Sequence, residues 1–193
     1  MASTVGRYDG VVVSGSGQRV SAVGGTRATN ALAFDPVVEA ARQWQAHGWT
    51  AAAGGMAAVT SVMRAQQIYL ARVEQVLRPH GLTFSRYEVL MVLVFSRTGA
   101  MPLSRLGARL QVHPSSLTNA IDRLEAQQLV LRRPHPGDRR TTLAELTEAG
   151  RALALAATED LNGQVFERPG LSGDQSQALV AVLTALREDA GDF

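Results

Sequence analysis

The chain contains no cysteine. That excludes disulfides, thiolate metal centres and thiol-based peroxide sensing. It contains no lysine either, so all nineteen basic residues are arginine. Arginine's planar fork makes paired contacts to phosphate and guanine, so the missing lysines do not weaken a nucleic-acid reading. The four histidines, at positions 47, 80, 113 and 135, lack ligand spacing, and no metal site is expected. There is no run of about eighteen apolar residues and no signal peptide, which points to a cytoplasmic protein without membrane contact. Also missing are a glycine-rich phosphate loop, paired carboxylates in a plausible cleft and a Ser-His-Asp arrangement. Glu145, Glu148, Glu159 and Asp160 read as solvated charges. Neither an enzyme nor a cofactor is expected.

What is present is concentrated in one stretch. The net charge is only +2, yet Arg97, Arg105, Arg109, Arg123, Arg132, Arg133, Arg139 and Arg140 face only Asp122, Glu125 and Asp138 between positions 97 and 140. The rest of the chain is net acidic, so the basic charge is local, as electrostatic steering toward a polyanion requires. Hydrophobic residues make up 46% of the 193 residues, ample for one domain with extensions.

The basic stretch has internal order. Leu103, Leu106 and Leu110 mark a short helix, and Gln111-Val112-His113 a turn. Pro114 suits the first position of a second helix, whose Leu117, Ile121 and Leu124 form a core-facing stripe. Its other face begins with Ser115, Ser116, Thr118 and Asn119 and ends near Arg123. Short, polar, uncharged side chains let a helix approach base edges in a major groove. A hairpin follows: Leu129 to Arg133, turn chemistry at Pro134-His135-Pro136-Gly137-Asp138, then an alternating strand from Thr141 to Leu146. With Arg132 and Arg133 on the first strand and Arg139 and Arg140 at the tip, it reads as a wing reaching backbone or minor groove.

These residues resemble a known family. Asp138, Arg140, Leu146, Thr147 and Gly150 fit the Asp-x-Arg, five residues, Leu-Thr-x-x-Gly signature of MarR-type bacterial transcription regulators, and the resemblance covers roughly residues 56 to 190. It implies a mainly α fold with a small β-wing: a winged helix-turn-helix domain (83–147) flanked by N- and C-terminal dimerisation helices (56–80 and 147–190). It implies that Arg140 enters the minor groove and that Asp138 pairs with it and shapes the wing. The first and last helices of two subunits would interlock.

Outside the signature, residues 1–30 read as a flexible leader rich in Gly, Ser and Ala. Residues 31–50 hold an extra helix, capped by Asp35 with Pro36 in its first turn and ended by His47-Gly48. Ala51 to Gly55 reads as a loose linker. Trp44 and Trp49 either anchor the extra helix over the dimer core, or Trp44 lines an effector pocket. Urate- and phenol-responsive members of the family carry such a Trp, with an acid near Glu88 and an Arg on the recognition helix. Here that helix shows Asn119-Ala120, so the pattern is incomplete. A long helix from Met56 to Leu77 carries Val59, Val62, Met63, Gln66, Tyr69, Leu70, Val73 and Leu77 on one broad face, stopped by Arg78-Pro79-His80-Gly81. Thr83 caps a helix through Arg97, with Tyr87, Leu90, Met91, Val94 and Phe95 inward. Thr147 caps another to about Phe166, with an Ala152, Leu153, Ala156, Ala157 face, and Ser172-x-x-Gln175 opens the last one, striped by Leu179, Val182, Leu183 and Leu186.

The expected function is a homodimeric, sequence-specific regulator, a repressor released by a small aromatic or anionic effector and bound to an inverted-repeat operator in double-stranded DNA. Ser115, Ser116, Thr118 and Asn119, behind Pro114, would carry base and phosphate contacts. Arg123, Arg132 and Arg139 would hold phosphates, and Ser104 and Arg105 would touch the backbone from the preceding helix. Trp44, Tyr69, Tyr87 and Met91, with Arg64, His80 and Arg86 as polar groups, would form an effector cleft. The alternative is a winged-helix protein-interaction module without sequence-specific DNA binding.

Overall fold

The computed structural model describes residues 32–193, so the expected leader at 1–30 lies outside the described residues. The described residues form seven α-helices and a three-stranded antiparallel sheet. In order these are α1 (Pro36–Ala46), α2 (Thr50–Leu77), α3 (Phe84–Val94), β1 (Ala100–Pro102), α4 (Leu103–Leu110), α5 (Pro114–Ala126), β2 (Val130–His135), β3 (Asp138–Leu146), α6 (Glu148–Leu161) and α7 (Gly173–Asp189). The expected mainly α fold with a small β-wing is what forms.

Local chemistry sets most boundaries. The Asp35 carboxylate accepts from Val37 N at 2.8 Å and starts α1. Gly48, at φ 83°, turns the chain back into α2. Trp44 and Trp49 meet edge to face at 5.4 Å across this corner, and Ala53 is buried, 2% exposed. The linker expected at Ala51–Gly55 is therefore helix: α2 runs 28 residues from Thr50 without a break. The alanines around Gly54-Gly55 favour helix strongly enough to carry the two glycines. The boundary expected between residues 50 and 56 falls inside this helix, and α1 with α2 forms one helical hairpin.

Thr83 caps α3, its Oγ1 accepting from Arg86 N. This helix stops at Val94, three residues before Arg97, and Phe95 points outward, 75% exposed. Ser96 and Thr98 hydroxyls both donate to the Ala100 carbonyl, and Gly99, at φ 67°, reverses the chain into β1. The strand pairs Ala100 with Glu145 and Pro102 with Leu143; three residues are too few to show alternation, which hid it in the sequence. Tyr87, Val89, Leu90 and Leu93 form the inward face.

The core is continuous across the elements: Leu77, Leu90 and Leu93 from α2 and α3, Leu106, Ile121 and Leu124 from α4 and α5, Val130 and Ala144 from the sheet, Ala154, Ala157 and Leu161 from α6. The buried side of α6 is Gly150, Ala154, Ala157 and Leu161, so Ala152 and Ala156 of the expected face are exposed. A π-turn, Asn162–Phe166, ends that helix. The capping box at Ser172 and Gln175 opens α7 with both hydrogen bonds made. Apolar surface remains uncovered on α2 (Val59 61%, Met63 61%) and on α7 (Val180 64%, Val182 67%, Leu186 56%).

Candidate nucleic-acid interface

The interface is built on α4, α5 and the wing. Leu117, Ile121 and Leu124 anchor α5 to the core. Gly107 lets α4 cross it closely: a Cβ there would meet Leu117 Cδ2 at 3.3 Å. The turn between the helices is fixed by Gln111 at φ 54°. His113 then acts as the N-cap of α5, its Nδ1 accepting from Ser115 N at 3.3 Å, with Pro114 at the first helical position. From the sequence pattern His113 belongs only to the turn; the cap is visible in the structure alone.

Ser115, Ser116, Thr118, Asn119 and Arg123 are all exposed on α5, as are Pro114 and, on α4, Ser104 and Arg105. Two open concavities flank the helix. One, of about 640 Å³, is lined by Ser116, Asn119 and Arg123 together with Thr83, Ser85 and Arg86 at the start of α3. The other, of about 720 Å³, is lined by Ser115, Thr118, Asn119, Asp122 and Arg123. So α5 stands proud, with its polar N-terminal turns outermost. Thr118 Oγ1 donates to Pro114 O at 2.9 Å, which leaves its hydroxyl as an acceptor toward a ligand.

In the wing, β2 and β3 pair regularly from Val130–Leu146 to Pro134–Thr142, then the register shifts so that His135 meets Asp138. Strand structure thus runs nearer the tip than the turn expected at 134–138, and Arg139, Arg140 and Thr141 bulge from the ladder. Asp138 holds the bulge: one carboxylate oxygen accepts from Arg140 N at 2.9 Å, the other from Thr141 Oγ1 at 2.7 Å. These bonds, the Thr141 hydroxyl first and the Arg140 amide second, keep its carboxyl below the ordinary Asp range. The expected pairing of Asp138 with Arg140 is made to the Arg140 backbone; the Arg140 residue is exposed. A bulge re-aims the side chains it carries, which accounts for the Asp-x-Arg spacing.

Arg132 departs from its expected role. Its guanidinium lies on Glu125 Oε2 and on Asp122 Oδ1, the latter at 2.5 Å, and its backbone N donates to Glu125 Oε1 at 3.1 Å. Both terminal nitrogens are engaged by carboxylates inside the chain, so the side chain serves first as an internal link between β2 and α5. Sequence spacing could not show this, because the partners sit on a helix and a strand joined by an irregular turn. Arg133 faces Glu145 at 3.2 Å.

The remaining signature residues are structural. Thr147 caps α6, accepting from Gly150 N at 2.9 Å, and its hydroxyl donates to Gln128 O and Leu129 O. Gly150 packs against the Leu129 carbonyl so closely that no Cβ fits.

The expected effector residues do not converge within one chain. Tyr69 lines an apolar cavity of about 400 Å³ with Gln66, Leu70, Val73, Phe84, Val165, Phe166 and Pro169. Its hydroxyl donates to Pro169 O at 3.0 Å. Tyr87 Oη lies 3.0 Å from Thr158 Oγ1, whose own proton goes to the Ala154 carbonyl at 2.7 Å, with Met91 Sδ at 3.3 Å. His80 Nε2 lies 2.7 Å from Asp160, a residue read as merely solvated. Arg86 faces the α5 concavity, and its Nε donates to Thr83 Oγ1. Trp44 sits at the α1–α2 corner, and Arg64 is exposed on α2. They lie on different elements and different faces, so they form no single cleft. Burial raises the Glu88 carboxyl above its ordinary range.

A model described as the MarR family matches residues 82–142, which span the helix-turn-helix and most of the wing. A solved MarR family transcriptional regulator of Streptomyces coelicolor is 48% identical, with a TM-score of 0.67 over 72% of this chain and 97% of that one. The chain belongs to the MarR family. Among curated relatives, the HTH-type transcriptional regulator MhqR of Bacillus subtilis is 37% identical over 37% of this chain and 48% of its own length. The chain thus spans about half the length of the first curated relatives it matches. A further MarR-fold structure, CouR of Rhodococcus jostii bound to p-coumaroyl-CoA, is 25% identical with a TM-score of 0.56, over 67% and 88%. In this MarR family member, the family model falls on the elements that build the exposed α5 and the wing. No helix among the described residues is long and apolar enough to cross a membrane.

Proposed function

We propose that this MarR family member is a homodimeric, cytoplasmic, non-enzymatic repressor that binds an inverted-repeat operator. The observation that carries the reading is the exposed polar face of α5, Ser115 to Arg123, standing between two open concavities beside an outward-bulged Arg140. In this reading α5 enters the major groove, and Ser115, Ser116, Thr118 and Asn119 meet base edges and phosphates. Arg123, Arg139, Ser104 and Arg105 hold the backbone, and Arg140 reaches the minor groove. The uncovered apolar residues of α2 and α7 support a two-fold dimer. Two-fold symmetry sets the half-sites one helical turn apart, about 34 Å.

Fluorescence anisotropy at fixed salt tests this, with DNA from upstream of the coding region against a scrambled duplex. Tight binding to the native fragment, lost in Arg140→Ala, is expected. Absence of binding to either duplex at low salt favours the protein-interaction module. Arg123→Ala should weaken binding to every sequence and reduce the salt slope by about one unit.

The cavity beside Tyr69 is the proposed effector site. Its walls come from α2, α3 and the segment after α6, so a ligand wedged there would bias their packing, and with it the spacing of the two α5 helices. Its apolar lining suits an aromatic ligand, in keeping with the aromatic acyl group carried by CouR. Calorimetric titration with a panel of aromatic acids should give heat with wild type and none with a cavity-filling Val73→Trp variant.

A further inference from the structure

Two carboxylates stand on the DNA side of this molecule, where they should repel phosphate. Asp122 and Glu125 lie on α5 with side chains 58% and 36% exposed. Both are engaged by one residue of the wing, Arg132, whose own side chain is only 28% exposed. Its two terminal nitrogens take one carboxylate each, and its backbone N–H donates to the second oxygen of Glu125. Nearer its base the hairpin is held by the short turn Gln127-Gln128-Leu129, in which Gln128 adopts φ 59° and Leu129 N bonds Leu124 O at 2.9 Å, by the packing of Val130 in one core with Ile121 and Leu124, and by the pairing of β3 with β1. These contacts hold the base of the hairpin. Arg132 ties it to α5 two residues further out, beyond Val130, at Asp122 and Glu125. From Arg132 the hairpin extends a further four residues to its tip, about 13 Å, so a small rotation at its base moves Arg140 about twice as far as Arg132.

We propose that Arg132, with Asp122 and Glu125, is a positioning brace that sets the angle between the reading helix and the wing, and so lets α5 and Arg140 engage adjacent grooves together. This rests on the DNA-binding reading above, but the brace itself is a property of the free protein. The fork is essential to it: an ammonium is a point charge and cannot pair both carboxylates in this arrangement. The brace also eases the placement of the two acids next to DNA, because half of their charge is cancelled before DNA arrives.

Glu125→Gln separates this from plain electrostatics, since the two predict opposite signs. Removing a negative charge near phosphate should tighten DNA binding if charge alone matters. With the brace, it weakens binding to the specific site by about tenfold, comparable with one misread base pair, and lowers the ratio of specific to scrambled binding. Arg132→Lys should behave like Arg132→Gln, both leaving the salt slope unchanged. Hydrogen exchange of the DNA-free protein gives the independent readout: in Glu125→Gln and Arg132→Gln, amides across 130–146 should exchange faster while those of α2 keep wild-type rates. Asp122→Asn, at the most exposed of the three positions, serves should Arg132→Gln fail to fold. Tighter specific binding by Glu125→Gln, full affinity in Arg132→Lys with a flattened slope in Arg132→Gln, or unchanged wing exchange would each overturn the brace. A wild type that binds no specific DNA, yet whose wing exchange responds to these substitutions, would instead overturn the DNA reading and leave the brace standing.

Discussion

Gly150 marks the place where α6 leaves the sheet, and the reason it is glycine is spatial. A Cβ at this position would run into the Leu129 carbonyl oxygen and come within 2.9 Å of Leu146 Cδ1. The same carbonyl accepts from Thr147 N and Thr147 Oγ1, each at 3.1 Å. Leu146, Thr147 and Gly150 therefore work as one joint between wing and helix. Gly150→Ala should destabilise the fold by about 1–3 kcal/mol, the usual cost of forcing extra volume into a packed site; urea denaturation checks it, and an unchanged midpoint would contradict the joint. Gly54 and Gly55 are the opposite case: they are mid-helix, and a Cβ on either would meet nothing within 4 Å. Alanine at either should stabilise by about 0.5–1 kcal/mol, read as a raised melting temperature. A fall instead would mean that the partner subunit packs there. The signature residues were legible as a pattern. The joint they form was not, because a single sequence carries no distance between Leu129 and Gly150.

At the level of elements, periodicity succeeded where one face alone is buried. Leu117, Ile121 and Leu124 fixed the phase of α5, and Asp35, Thr83, Thr147 and Ser172 were readable as caps because each cap is a local bond. It failed where burial is two-sided or the element is short. From Val89 to Phe95 every residue is apolar, so the sequence could not tell Phe95, outside, from Leu93, inside. At Ala51–Gly55 composition suggested a linker, and neighbouring helix won. The wing bulge depends on a carboxylate, which gives it a pH dependence. Asp138 has its folded value lowered, so the stabilisation it confers is complete above the ordinary value of 3.8 and is lost as pH falls through the lower folded value. The Arg140 amide resonance should thus hold its position on acidification to about pH 4 and shift only below it. In Asp138→Asn, that low-pH titration should vanish.

For the whole molecule, the central issue is what covers α2 and α7. Their exposed Val59, Met63, Val182 and Leu186 are too apolar to face water as a set. Leu186→Glu should convert the protein to a monomer in sedimentation velocity and weaken operator binding far more than half-site binding. A dimer that persists in that variant would place the interface elsewhere. The apolar breadth of these helices is what supports the proposed dimer, but no residue pattern encodes an angle between two subunits.

The unbroken run of α2 has a mechanical consequence. At 28 residues it is a rod about 42 Å long. It carries the α1 hairpin at one end and, near the other, Tyr69, Val73 and Leu77 against the cavity and the core. A rod of that length converts angle into distance: a tilt of about 5° about one end displaces the other by about 4 Å, more than one base-pair step. A loose linker at Ala51–Gly55 would have absorbed such a tilt before it travelled. Because the helix continues through those residues, leverage applied at the Trp44–Trp49 corner reaches the cavity at Tyr69 and the core at Leu77 with little loss.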